Sequence, residues 1–189
     1  GWMAAKPIAD DAQLIKRIGQ GDRQALSDLY ARYQRVLFSY LLQLTPDYGL
    51  AEELLQDTLV AVWKSARSFE GRSSTLTWLI GIARRQAHNT LRQRRLPLVD
   101  LAEMETLSAP DLEPEEVALA GAARAELMEA FHQLVPVHRE VLVLTFVQEL
   151  SYQETATILG IPLGTMKSRL SNARRALRAL LDAKKDTKR

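Results

Sequence analysis

The sequence predicts an all-α protein: two small helical domains joined by a flexible acidic linker. Three observations carry this prediction. Apolar residues recur at helical spacing along almost the whole chain, and no stretch shows the convincing two-residue alternation of a strand. The 189 residues, 47% hydrophobic and 25% charged, suffice for one medium domain or two small ones with packed cores. The helical pattern is interrupted between Leu96 and Pro114, a stretch with three prolines and an acidic run.

Taken in order, a short helix is expected through Ala12–Ile18, stopped by Gly19 and Gly21. Asp22 is placed to cap the next helix, whose stripe is Leu26, Leu29, Tyr30, Tyr33, Leu37, Tyr40, Leu41 and Leu44. Thr45-Pro46 ends it, because the residue before a proline is pushed out of the α region. A third helix covers about Leu50–Ser65, with Leu55, Leu59, Val62 and Trp63 facing inward. Glu70 to Ser74 form a polar loop, and a fourth helix runs over about Thr75–Arg94. Beyond the linker, Glu115–Leu134 carries a stripe at Leu119, Ala123, Leu127, Phe131 and Leu134, and Pro136 breaks it. Val137–Val147 is apolar almost all round and is expected to be a buried helix. A helix pair, Ser151–Leu159 and Leu163–Leu181, completes the chain. The expected boundaries are a tag-like, disordered 1–9 (Gly1-Trp2 before Met3 resembles a cloning scar), a domain over 10–95, a linker over 96–114, a domain over 115–182, and a basic tail over 183–189.

Charge and composition narrow the function classes. Without cysteine, disulfides, thiol catalysis and thiolate metal sites are excluded. No apolar run approaches the roughly 20 residues that span a bilayer, and no signal-peptide pattern is present, so a cytoplasmic location is expected. The net charge is only +2, but its distribution is uneven. Arg84–Arg95 holds five arginines and no acid, and Leu163–Arg189 carries a local +7. Between them, Leu96–Glu116 holds seven acids and no base. Two basic segments divided by an acidic one point toward phosphate, although a single charge run is more often a solvated face.

The stretch Ser151–Leu177 has the layout of a helix-turn-helix. Ser151 and Glu154 form a capping box, Ala156 allows close helix crossing, and Gly160 fits the left-handed position that ends a helix. At about 100° per residue, Met166, Leu170, Ala173 and Leu177 fall on one face. Gly164, Lys167, Ser168, Ser171, Arg175 and Arg178 fall on the other, with Asn172 at its edge. Short polar residues there permit approach to base edges, and the cations can take bases or phosphates. The fourth helix has a second basic stripe, Arg84, Arg85, His88, Arg92 and Arg95, opposite Leu79, Ile82, Ala83 and Gln86. Trp78 precedes it; an aromatic beside a basic helix suits stacking on unpaired bases, and a core tryptophan is the alternative. His132 and His138 are not at ligand spacing, so no metal site and no cofactor is expected.

Two matches then coincide. LSYQETATILGIPLGTMKSRLSNARRAL resembles the DNA-reading region 4 of bacterial sigma factors. AEELLQDTLVAVWKSARSF followed by STLTWLIGIARRQAHNTLRQRR resembles their region 2. The order, the linker and the length are similar to the small extracytoplasmic-function, sigma-70-like group, over about Asp10–Leu181. The resemblance implies a protein that binds core RNA polymerase, directs it to promoters, helps open the DNA and serves a stress response. By position it implies Lys167, Ser168, Ser171 and Asn172 as −35 base readers, with Thr165, Arg169, Arg174 and Arg175 as phosphate contacts; the helical wheel places Arg169 off that face. It implies that the loop Phe69–Leu76, with Arg72, Ser73, Ser74 and Thr75 beside Trp78, Arg84, Arg85, His88 and Arg92, holds the −10 strand with a base turned out into a pocket. The chain departs from the family at Thr75-Leu76, where aromatics are frequent, and at Arg85, where asparagine is. Glu52, Glu53, Gln56 and Asp57 are implied as the surface that docks on the beta-prime coiled coil, with the beta subunit as a further core contact. The acidic linker is implied to pass near the RNA path. An anti-sigma factor is a possible partner, and membrane insertion is not expected.

Two other classes compete. A stand-alone helix-turn-helix regulator would bind duplex DNA by itself, usually as a dimer, and would leave the second basic helix without a task. An enzyme acting on nucleic acid would need a metal-spaced carboxylate cluster, a glycine-rich phosphate loop or an activated nucleophile, and the sequence has none of these.

Overall fold

In the computed structural model, the described residues are 10–45, 47–94 and 114–189, with side chains from 123 onward in the last segment. Residues 1–9, the linker 96–113, Arg95 and the Leu119 side chain lie outside them. The described residues form α1 (Asp11–Gly19), α2 (Arg23–Leu44), α3 (Tyr48–Ser65), a 3-10 turn (Ala66–Ser68), α4 (Thr75–Gln93), α5 (Pro114–His132), α6 (Pro136–Leu142), a π turn (Val143–Val147), α7 (Tyr152–Leu159) and α8 (Leu163–Thr187). They include no strand.

Short acidic or hydroxyl side chains start most of these helices, by accepting from backbone N–H groups that would otherwise be unpaired. Asp10 takes the Gln13 N–H at 2.8 Å, Asp22 those of Gln24 and Ala25 at 3.0 and 3.2 Å, and Asp47 that of Leu50 at 3.1 Å. Ser74 and Ser151 take the N–H of Thr77 and Glu154 at 3.2 and 3.0 Å. The helices α6 and α8 instead begin after Val135 and Pro162 with no side-chain cap.

The first four helices pack around Leu37, Tyr40, Leu41, Leu54, Ile80 and Ala83, each at most 2% exposed. The second group packs α5, α6 and α7 against α8 through Val141, Leu144, Met166, Leu170 and Ala173. The two groups meet along α4 and α7, so their cores run on into one cluster.

Five expectations need correction. The α5 stripe is not buried at Ala123 and Leu127, which are exposed, and Ala130 is buried instead. Val137–Val147 is not one buried helix: the helix ends at Leu142, and Val137, Phe146 and Val147 are about half exposed. An all-apolar segment can also leave a face open as a docking surface, which periodicity alone does not distinguish. Residues 183–189 are not a separate tail. Helix α8 continues to Thr187, held to α5 by Lys184–Glu129 at 2.8 Å and by Lys188–Glu126. The capping box is half made: Ser151 caps α7, but the Glu154 carboxylate accepts from Thr77 Oγ1 at 2.9 Å, across the seam between the groups. Finally, the basic stripe of α4 is not open along its length, because Arg84 and His88 are half-buried beside Glu140 of α6.

Candidate nucleic-acid interfaces

The reader α8 is set by its turn. Gly160 sits at φ 66°, ψ 34°, a left-handed conformation in which glycine avoids the Cβ penalty. Its N–H bonds to the Ala156 and Thr157 carbonyls, closing α7. Met166, Leu170 and Ala173 are buried beneath α8, at most 2% exposed. That rotation leaves Thr165, Lys167, Ser168, Ser171, Asn172 and Arg175 exposed. Arg175 donates to Asn172 Oδ1 at 2.7 Å, which orients the amide on the same surface. Arg169 is half-buried, in keeping with its place off the wheel's polar face. Arg174 is exposed but turned back, with its guanidinium 4.9 Å from the Phe146 ring centroid and donating to the Tyr152 hydroxyl at 3.4 Å.

The residues expected at the −10 strand are only partly gathered. A cleft of about 660 Å³ is lined by Ser73, Trp78, Arg84, Arg85, His88 and Arg92, together with Thr157 and Ile158 of α7. Phe69 does not line it but packs on Trp78, ring centroids 4.8 Å apart and tilted by 50°. Trp78 is therefore partly buried against the core and also faces the cleft, so both readings of this residue hold in part. Arg72 pairs with Glu70 at 2.8 Å on the open surface. The Ser74 hydroxyl is committed to α4, accepting from the Thr77 N–H and donating to Thr77 Oγ1 at 2.9 Å, and Thr75 is the first residue of that helix. Sequence reasoning missed Asn89, which lines the same cleft. It lies four residues after Arg85, one turn along the stripe, so helical spacing alone could have found it.

The electrostatics of the cleft centre on Glu140, whose side chain is 13% exposed. It accepts from Arg84 Nε at 2.6 Å and from the Tyr40 hydroxyl at 3.4 Å, and His88 Nε2 lies 4.0 Å away. Burial works against the Arg84 charge, but the hydrogen bond and charge of Glu140 outweigh it and raise the guanidinium pKa. Burial, then the Glu140 charge, pushes the Tyr40 phenol well above its ordinary value. Burial and the neighbouring Arg84 lower the His88 pKa against the opposing pull of Glu140. His88 Nε2 is buried with no hydrogen-bond partner.

Two further grooves lie on other faces of the helices. A groove of about 670 Å³ between α2 and α3 is lined by Glu52, Glu53 and Gln56 and by Tyr30, Arg35 and Phe38, which sequence reasoning did not single out. Asp57 is half-buried and outside that lining, and Glu53 pairs with Arg94 at 2.5 Å. An apolar groove of about 700 Å³ between α5, the π turn and α8 is lined by Leu127, Phe131, Phe146, Val147, Leu177 and Leu181. Among the described residues no cluster of His, Asp and Glu could hold a metal ion, and no helix is long and apolar enough to cross a membrane.

Residues 29–96 match the Sigma-70 region 2 family, and residues 124–177 match the Sigma-70, region 4 family. The chain is 30% identical over 176 residues to the RNA polymerase sigma-H factor of Pseudomonas aeruginosa, covering 88% of this chain and 91% of that one. It is 33% identical to the ECF RNA polymerase sigma factor SigX of Bacillus subtilis, covering 79% and 80% of the two chains. The ECF RNA polymerase sigma-E factor of Escherichia coli is 31% identical, with 88% and 92% covered. Among solved structures, CnrH in complex with the cytosolic domain of CnrY aligns with a TM-score of 0.64 at 26% identity, over 92% of this chain and 97% of that one. RpoE of Bartonella quintana, in complex with the anti-sigma factor NepR, aligns at 0.65 and 26%, over 82% and 96%. Two regions in one order, matched nearly end to end by such relatives, leave the stand-alone regulator without support: this chain belongs to the sigma-70 family of RNA polymerase sigma factors, in its extracytoplasmic-function group.

Proposed function

We propose that this protein is a promoter-specificity factor whose two basic helices divide the work. The exposed face of α8 reads −35 duplex DNA through Lys167, Ser168, Ser171 and Asn172, with Thr165 and Arg175 on phosphates. The α4 cleft holds the opened −10 strand through Ser73, Trp78, Arg85 and Arg92, with Arg84 and His88 joining once their side chains are free. Residues 10–95 form the core-binding and −10 unit, and 115–182 the −35 unit. The observation that carries this reading is the continuous exposed polar face of α8, short side chains flanked by cations, opposite the buried Met166, Leu170 and Ala173. Short side chains let the backbone approach base edges, and cations supply the salt-dependent phosphate affinity.

The groove bearing Glu52, Glu53 and Gln56 docks on core polymerase, where acidic side chains meet a basic helical partner. The apolar groove beside Phe146 serves a second core contact, on the beta subunit. RpoE of Bartonella quintana was captured with the anti-sigma factor NepR, and an anti-sigma factor is a partner for this chain as well. The protein acts in the cytoplasm as a binding factor with no catalytic centre of its own. Pull-down with core polymerase tests the reading: a stable complex, weakened by Glu52→Arg with Gln56→Arg, supports it. Absence of any complex with core refutes it.

A further inference from the structure

The loop that leads into α4 starts at the 3-10 turn Ala66–Ser68, and the side chains of that turn take three directions. With three residues per turn, positions i and i+3 eclipse, and the two between them point elsewhere. Ser65 and Ser68 therefore share a direction, and both line the cleft that also holds Ser73, Trp78, Arg85 and Arg92. The Ser68 hydroxyl donates to the Ser65 carbonyl at 2.7 Å and ties the two together. Ala66 is buried, 4% exposed. Arg67 takes the remaining direction and reaches α1, where its Nε donates to the Gly19 carbonyl at 2.8 Å.

This contact suits both of its ends. The carbonyls in the last turn of a helix lack intrahelical donors, and a cation beside them is favourable. Gly19 is the last residue of α1, and its missing side chain permits the close approach. A Cβ there would lie 3.3 Å from Arg67 Cγ and 3.4 Å from the Arg67 backbone nitrogen. Just past the turn, the Phe69 N–H bonds to the Ala66 carbonyl at 3.3 Å, and the Phe69 ring packs on Trp78. Arg67 and Phe69 line a groove on the α1 side together with Ile15 and Gly19, whereas Ser65, Ser68 and Trp78 line the cleft. The turn thus links α1 on one side to the cleft wall on the other.

We propose that Arg67 is a positioning residue for strand recognition. Its bond to Gly19 sets the rotation of the 3-10 turn, and through it the placement of Ser65, Ser68 and the Phe69–Trp78 pair on the cleft wall. The proposal rests on the α4 cleft being the −10 reader. Gly19 precedes the residues matched to region 2, so the contact makes −10 preference depend on a helix outside that match.

The test uses the full-length protein labelled with 5-fluorotryptophan. Its three tryptophans give separate fluorine resonances, and Trp78→Phe assigns that of Trp78. Arg67→Ala is expected to shift the Trp78 resonance with helicity by circular dichroism unchanged. Gly19→Ala should shift it less, and Arg67→Lys, which still offers a donor to the carbonyl, should move it back toward the parent. Each protein is then combined with core polymerase on a promoter library randomised upstream of the start site, and the transcripts are sequenced. Arg67→Ala is expected to lose base enrichment in the downstream block several-fold, with the upstream block unchanged and with recovery in Arg67→Lys. An unchanged Trp78 resonance in Arg67→Ala overturns the positioning role; lost enrichment beside it would make Arg67 a direct phosphate contact. A shifted resonance with unchanged enrichment overturns the link to recognition. Absence of specific transcripts from the parent strikes the functional reading instead, because the fluorine spectra report the Arg67–Gly19 contact without polymerase or DNA.

Discussion

Two basic helices of similar sequence character meet different surroundings. In α8 the apolar stripe is buried on its own domain, and the polar face from Thr165 to Arg175 is exposed. In α4 the apolar stripe is buried equally well, at Leu79, Ile82 and Ala83, yet half of the basic face is turned into contact with Glu140. The difference teaches that amphipathicity assigns the inner face of a helix but not the fate of its outer one. On α8, Arg175 donates to Asn172 of its own helix and Arg174 turns back to Phe146 and Tyr152. On α4, Arg84 is already engaged by a carboxylate, and its neighbours are drawn into the same field.

The largest expected effect separates these two cases. Removing Arg84 takes the guanidinium partner from the Glu140 carboxylate at 13% exposure, whereas Arg175 faces solvent. A buried pair broken from one side costs about 3–5 kcal/mol, and partial solvent access at Arg84 reduces this to roughly 2 kcal/mol. Urea unfolding of Arg84→Ala is therefore expected to show a clear loss of stability. Arg175→Ala should stay within about 0.5 kcal/mol of the parent; equal losses would erase the distinction between the helices.

The next effect belongs to α8. Lys167→Ala is expected to weaken −35 duplex binding by about 1–2 kcal/mol. Titrating salt sharpens this, because a phosphate contact lowers the slope of log affinity against log salt by about 1, and a base contact changes sequence preference instead. Loss of core binding in the same variant would mean that the reading face lies elsewhere. Gly160→Ala comes third. Its φ of 66° strains any L side chain, at a cost of roughly 1 kcal/mol, and fluorescence-monitored denaturation should show that loss without altering the α4 cleft.

The smallest effect is the pH dependence at His88. Burial and Arg84 lower its pKa, with Arg92 acting in the same direction and Glu140 opposing. The folded chain thus binds fewer protons at His88 than the unfolded chain. Stability contributed by neutral His88 is complete above the ordinary histidine pKa near 6.5 and declines as pH falls through the lowered value. His88→Gln should flatten stability as pH falls below the ordinary histidine pKa near 6.5, relative to the parent; an unchanged slope would assign the acid sensitivity to other groups.

Much of this was legible in the sequence because it depends on near neighbours. Asp22 and Ser151 were identified as caps, and Gly160 as a helix end, since each acts within four residues of itself. The stripes of α4 and α8 follow from helical spacing. Asp10, Asp47 and Ser74 also cap helices, but Ser74 was assigned to a base pocket because a hydroxyl in a polar loop fits both tasks. The rest depends on distance in space. Glu154 looked like the second half of a capping box, yet its carboxylate reaches Thr77, 77 residues away. Nothing in the spacing around Arg84 indicates Glu140. The exposure of Phe146 arises because the helix ends at Leu142 and passes into a π turn, which an apolar run does not announce.

One chain carries two promoter readers, and their use in starting transcription depends on polymerase. Mapping transcript starts made by core polymerase reconstituted with this protein tests it most directly. The account predicts starts at a fixed distance downstream of two conserved sequence blocks, with use of the upstream block reduced by Lys167→Ala and of the downstream block altered by Arg85→Asn. Starts identical to those of core polymerase alone, together with specific duplex binding by the free chain as a dimer, would contradict it.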